Sequence, residues 1–341
     1  MSRKLKSFLK YFISIFLTFL FLYLAFQKTD WNKLLNSLKN ANYFYAFLMF
    51  LCLMLSHCLR ALRWKYFLFP IKENLKFKNL FSSMMIGYAV NNFLPRGGEV
   101  VRPYVVGKLE GISRSSAFGT VVMERIIDVI SFLILVAIIP IVYSGPLTQQ
   151  FPWLMNFSLI LSISTLFILA ITIFILLKRE FLFKHLNIVT KKISLTTSQK
   201  IEKFFHSFLD GFLFIKETKN YFIIFCTSCL IWFFYILMMY CAFFSFNDLE
   251  KYHLDINTAI VLQAISSIGI GIPTPGGTGS YHFITTETLT KLYNVDKTLA
   301  QSYATLTHAI GYLGVLIIGI FYFVKYHLHF SDVIKESENE N

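Results

Sequence analysis

Ionisable side chains are costly in apolar surroundings and so mark sites where chemistry is done. This chain gathers them at three places. In NNFLPRGGEVVRPY, residues 91–104, Arg96, Glu99 and Arg102 stand around Gly97 and Gly98. Glu99 and Arg102, three apart, share a face if the chain is helical after the glycines. Glycines let backbone amides come close to a ligand, and a helix N-terminus behind them offers unpaired N–H groups to an anion. Two guanidiniums beside such amides suit a lipid phosphate, since each is a planar two-pronged donor. The plainer alternative is an interfacial ion pair that only fixes the loop.

Glu124, Arg125 and Asp128 form the second group. Glu124 and Asp128 are four apart on one helix face and repel unless a cation lies between them. Arg125 points about 100° away round a helix of 3.6 residues per turn, so it cannot neutralise both carboxylates alone. Arg96, Arg102 or a cationic head group could complete the balance, and so could a purely structural charge network. The third group lies in GIGIPTPGGTGSYH, residues 269–282, with Pro273, Pro275, Gly276, Gly277, Gly279 and His282, followed by Glu287. No Gly-Lys-Ser/Thr follows, which excludes a phosphate-binding P-loop. His57, His282 and His308 suit either proton relay or structural hydrogen bonding. No zinc-ligand spacing or nucleophile elbow occurs, so no metal, no cofactor and no catalytic residue is expected.

The elements that carry these groups belong in a bilayer. The chain is 55% hydrophobic with 38 Phe among 341 residues, too apolar for a soluble domain. Its apolar runs are continuous, not alternating, which excludes a β-barrel and gives an all-α polytopic membrane protein. Six spans are expected, at 8–26, 41–59, 122–143, 154–177, 221–246 and 303–324. The first follows Arg3, Lys4, Lys6 and Lys10 but lacks a small-residue cleavage site, so it reads as a retained span. The net charge of +13 lies beside the membrane segments, where it sets topology and meets anionic lipid; no nucleic-acid motif accompanies it. All five cysteines fall in apolar stretches and read as packing residues.

Basic loops identify the cytoplasmic side. Arg60, Arg63, Lys65, Lys72, Lys76 and Lys78 follow the second span, and nine Lys/Arg occur between Lys178 and Lys219. Loop 144–152 has no charge, and loop 247–255 is mainly acidic. Both termini then lie inside the cell. To preserve this alternation, segment 80–94 must return to the side it came from. Its length and that of segment 259–272 fit re-entrant hairpins, two that dip from opposite faces in a weak inverted repeat. Residues 1–330 read as one membrane domain, 178–220 as a basic amphipathic cytoplasmic loop, and 331–341 as a disordered polar tail.

At these motifs the chain resembles the flippase-like family labelled lysylphosphatidylglycerol synthase transmembrane region, the membrane half of the bacterial multiple peptide resistance factor. An N-x-x-P-x-x-G-E-x-x-R pattern is met by Asn92, Pro95, Gly98, Glu99 and Arg102. An E-R-x-x-D element is met by Glu124, Arg125 and Asp128, and a P-x-P-G-G-x-G element by Pro273, Pro275, Gly276, Gly277 and Gly279. The resemblance spans roughly residues 10–325. It departs at His282, where the family often has Glu, and no soluble aminoacyl-transferase domain accompanies it.

The resemblance implies lipid translocation and not synthesis. The leading expectation is a bacterial inner-membrane translocase for a polar or charged lipid head group, with a phospholipid or lipid-linked substrate and a lipid-modifying enzyme as partners. The head-group cavity is expected to include Asn92, Arg96, Gly97, Gly98, Glu99, Arg102, Glu124, Arg125, Asp128, Pro275, Gly276, Gly277, Gly279 and His282. The alternatives are a membrane-embedded transferase on lipid-linked sugars, with Glu99 or Asp128 as base, and a lipid-binding accessory subunit.

Overall fold

Backbone N–H and C=O groups find no water in a bilayer, so runs of Phe, Leu and Ile satisfy them internally as helices. The computed structural model describes residues 3–145, 147–177, 205–211 and 220–328, and among these there is no strand. The helices are α1 (Arg3–Phe26), α2 (Trp31–Lys39), α3 (Tyr43–Leu68), α4 (Phe77–Asn91), α5 (Gly98–Glu110) and α6 (Arg114–Val142). They continue with α7 (Leu147–Gln150), α8 (Pro152–Leu177), α9 (Tyr221–Phe243), α10 (Ile256–Gly271), α11 (Ser280–Tyr293) and α12 (Lys297–Lys325). The expected basic loop, except 205–211 and Asn220, and the polar tail lie outside the described residues.

Helices α3, α6, α9 and α12 are each long and apolar enough to cross a membrane, and α1 with α2, bent by 90° at their junction, makes a fifth candidate. The expected span 154–177 lies in α8, whose stretch Pro152–Ile168 is a shorter apolar helix. Caps define several ends. Asp255 Oδ1 accepts from the Thr258 N–H at 2.8 Å at the start of α10, and Asp296 Oδ1 accepts from Thr298 and Leu299 at the start of α12. Phe19, Tyr23, Ile160, Phe222, Ile317 and Val324 are exposed, as expected where hydrocarbon is the solvent.

One boundary differs from expectation in a way that matters. α3 does not stop at 59 but runs to Leu68, so Arg60 and Arg63 are helix residues, not loop charges. No Gly or Pro interrupts the sequence before Pro70. Ala61, Trp64, Phe67 and Leu68 keep burying the same side of the helix.

α4 and α5 form an antiparallel hairpin. At its open end the Glu110 carboxylate accepts from the Lys76 N–H at 3.2 Å and from Asn79 Nδ2 at 2.7 Å, capping α4. At its closed end the helices nearly touch, since a Cβ on Gly87 would lie 3.0 Å from the Gly98 carbonyl oxygen. α10 and α11 form a second hairpin. There the Ser280 hydroxyl donates to the Gly269 carbonyl at 2.7 Å, and Thr285 Oγ1 to Ser266 Oγ at 2.8 Å.

Helix α6 fixes the relative sense of the two. The first hairpin opens beside the N-terminus of α6, which follows Glu110 after a left-handed Gly111 (φ 66°). The second opens beside its far end, where Tyr143 donates to the Leu292 carbonyl at 3.4 Å and packs edge-on against Tyr293. The hairpins therefore enter the bundle from opposite ends.

Candidate functional site

Three helices bring charges together inside the bundle. α3 contributes Arg60 and Arg63, one turn apart; α5 contributes Arg102; α6 contributes Glu124, Arg125 and Asp128. Arg60 Nη2 donates to Glu124 Oε1 at 2.8 Å and to Asp128 Oδ2 at 2.7 Å. Arg63 Nη2 lies 2.5 Å from Asp128 Oδ1 and 3.4 Å from Glu124 Oε1, while its Nη1 donates to Ser228 Oγ of α9 at 3.0 Å. Arg102 Nη2 pairs with Glu124 Oε2, and Arg125 Nη2 reaches both carboxylates at 3.1 and 3.0 Å. Four guanidiniums thus answer two carboxylates.

Burial makes this arrangement exacting. The Arg63 and Glu124 side chains are fully buried and Arg102 is 4% exposed, whereas Arg125, at 37%, lies at the edge. The Arg102 guanidinium sits 4.2 Å from the Trp64 ring centroid, and the Trp64 indole donates to Thr120 Oγ1 at 2.9 Å, locking the platform. Tyr88 of α4 stands beside Arg60, 5.8 Å from guanidinium to ring, and against His57. Both His57 ring nitrogens, the Tyr88 hydroxyl and the Nε atoms of Arg60, Arg63, Arg102 and Arg125 are buried without a hydrogen-bond partner among the described residues.

The expected site residues separate into three places. Arg102, Glu124, Arg125 and Asp128 join the cluster. Arg96 and Glu99 do not: Arg96 is exposed in a left-handed conformation (φ 61°), and Glu99 is half-buried with no ion pair among the described residues. Arg102 turns to Glu124, not to Glu99, because α5 packs on α6 with Arg102 on the buried face. Nor do Gly97 and Gly98 lend free amides to an anion. The Gly98 N–H donates to Asn91 Oδ1 at 2.8 Å, and the amides of Gly97, Glu99, Val100 and Val101 each donate to a carbonyl of the preceding turn. Gly98 serves instead to close the hairpin against Gly87.

Asn92 and the third group, around residues 273–279, meet elsewhere, at the middle of α12. Asn92 Nδ2 donates to the Tyr312 carbonyl at 3.0 Å, and the Tyr312 hydroxyl returns a bond to the Asn92 carbonyl at 3.3 Å. Gly276 (φ 57°) fits between them, since a Cβ there would lie 2.9 Å from Asn92 Oδ1. His308 Nε2 lies 3.0 Å from the Gly276 carbonyl, and the His308 and His282 rings are 4.5 Å apart. The two interrupted segments are therefore in contact. α1 covers the second one, with Ser14 Oγ donating to the Pro273 carbonyl and Phe26 against His282. Pro275, Gly277 and Gly279 shape this turn, the two glycines at φ 74° and 86°.

Sequence reasoning missed Arg60, Arg63, Tyr88 and His57 as one constellation. The available signal was the uninterrupted helical pattern beyond residue 59 and the requirement of Glu124 and Asp128 for more cation than Arg125 supplies. Among the described residues no group of three or more His, Cys, Asp or Glu is placed to hold a metal ion.

Residues 10–319 match the family described as Lysylphosphatidylglycerol synthase TM region. The chain belongs to this family. It is 27% identical over 326 residues to a UPF0104 membrane protein of Methanocaldococcus jannaschii, covering 90% of this chain and 92% of that protein. A second UPF0104 membrane protein of the same organism is 27% identical over 256 residues, 74% of this chain and 98% of its own length. One from Methanothermobacter thermautotrophicus is 36% identical over 78 residues, 22% of this chain and 23% of its own. No solved structure matches. Family and helices together make this a multi-pass, all-α membrane protein.

Proposed function

We propose that the protein moves a lipid with a polar or charged head group between the two leaflets, with the acyl chains left in the bilayer. The observation that carries this reading is the meeting of two interrupted hairpins, entered from opposite ends, on one turn of α12 in a bundle that also buries an arginine-rich cluster. Broken backbone at membrane depth is tolerated where it lines a cavity or is packed in protein, and paired breaks of this kind mark transport sites. Buried ionisable groups inside spanning helices point the same way.

In this reading both hairpins are re-entrant, the molecule is a single membrane domain of the inner membrane with cytoplasmic termini, and its role is transport, not catalysis. A lipid-modifying enzyme that supplies the cargo is the natural partner. Reconstitution into liposomes with fluorescent lipids tests the activity directly. Leaflet exchange faster than in protein-free vesicles is expected, and its absence across anionic, zwitterionic and aminoacylated lipids would refute the reading. A cysteine at position 191, in a background without native cysteines, should resist an impermeant reagent in intact cells; labelling there would invert the topology.

A further inference from the structure

Every carboxylate oxygen of the cluster is already taken. Glu124 Oε1 serves Arg60, Arg63 and Arg125, and Oε2 serves Arg102. Asp128 Oδ1 serves Arg63, and Oδ2 serves Arg60 and Arg125. Each carboxylate oxygen thus already holds a guanidinium, and four guanidiniums against two carboxylates leave an excess of two positive charges, three of the four cations buried and Arg125 at the edge, beside unpartnered donors: the Tyr88 hydroxyl, Arg60 Nε and, in whichever tautomer, one His57 N–H. In a low-dielectric interior such an excess calls for an anion. The donor set, guanidiniums with a phenol, matches the oxygens of a phosphate diester.

We propose that Arg60, Arg63, Arg102 and Arg125, with Tyr88, form a site for an anionic phosphate-bearing head group, entered past the half-exposed Arg125. This deepens the translocation reading, on which it rests for the lipid as source of the phosphate. The cargo class is then an anionic phospholipid, and a cationic head group is disfavoured because it would add to the charge excess.

The purified full-length protein in neutral detergent can be titrated with dioctanoyl phosphatidylglycerol, dioctanoyl phosphatidylcholine, a lysyl-modified phosphatidylglycerol and inorganic phosphate, reading the shift in melting temperature. The anionic lipid should stabilise at the lowest concentration, with the zwitterionic and cationic lipids weaker by about tenfold or more, the worth of one charge-assisted hydrogen bond. Tyr88→Phe should weaken phosphatidylglycerol binding by roughly tenfold while the lipid-free melting temperature stays unchanged, because its hydroxyl has no partner to lose. Equal binding of all three lipids, or preference for the lysyl-modified one, would overturn the proposal. Inorganic phosphate reproducing the full shift would make the ligand a soluble anion and overturn the lipid assignment. Liposome assays keep the two claims apart. Exchange that ignores head-group charge would sink the anionic site and leave translocation standing, whereas selective binding without exchange would support the site and sink translocation.

Discussion

Around the hairpin α4–α5, guanidiniums and carboxylates from α3, α5 and α6 make the decisive polar contacts, whereas around α10–α11 hydroxyls, carbonyls and neutral rings do the same work. The difference lies in what each arrangement leaves over. In the second hairpin Ser280, Thr285 and Tyr281 each donate to a nearby acceptor, and Tyr281 reaches Thr307 of α12 at 2.9 Å. Among the described residues the second leaves over only neutral hydroxyls, those of Thr286 and Thr290, whereas the first retains charge that its own acceptors do not consume. Similar backbone geometry thus supports a neutral hydrogen-bonded brace at one hairpin and a buried excess of positive charge at the other. Fold alone does not assign function to either, and the side chains do.

Removing one charge tests that contrast most severely. Glu124→Gln leaves four guanidiniums facing a single carboxylate, and the loss of one partner from a buried ionic network costs about 3–5 kcal/mol. Thermal unfolding in detergent should show the drop, and Glu124→Gln combined with Arg102→Gln should recover part of it. A double variant no better than the single would mean that the cluster is not electrostatically coupled.

Next in size is Gly98→Ala. Its Cβ would overlap the Gly87 carbonyl, a backbone atom that cannot rotate away, so a loss of about 1–3 kcal/mol is expected from overpacking. Unchanged stability on the same assay would show that the hairpin is looser than its closed end implies. In the second hairpin Ser280→Ala removes bonds to the Gly269 and Gly277 carbonyls at 2.7 and 3.2 Å, a loss of about 1 kcal/mol for neutral partners. A drop as large as that of Glu124→Gln would erase the distinction between the charged and the neutral hairpin.

Much of the architecture was legible in the sequence because lipid imposes length and continuity on spanning helices. The breaks were legible because Pro95, Gly97 and Gly98, or Pro273 to Gly279, cannot continue a helix unperturbed. Glu124 and Asp128 were legible as a pair needing cations. Arg102 was among the cations expected to answer them, but Arg60 and Arg63 were not, since they lie far away in sequence and look like the basic residues that ordinarily flank a span. Only helix packing sets them opposite α6. The spacing of Glu99 and Arg102 misled for the same reason. A shared helix face permits a pair, but Trp64 and Glu124, on other helices, compete for Arg102 and hold it.

Tyr312 touches both interrupted segments, through the Asn92 amide and carbonyl on one side and Gly276 on the other. The consequence is reciprocal. Whatever work a displacement of one break does to shift this turn of α12 changes the work left to displace the other, and by the same amount in each direction. Two breaks that meet on one turn of a single helix are thereby coupled directly, with no further element needed to carry the message.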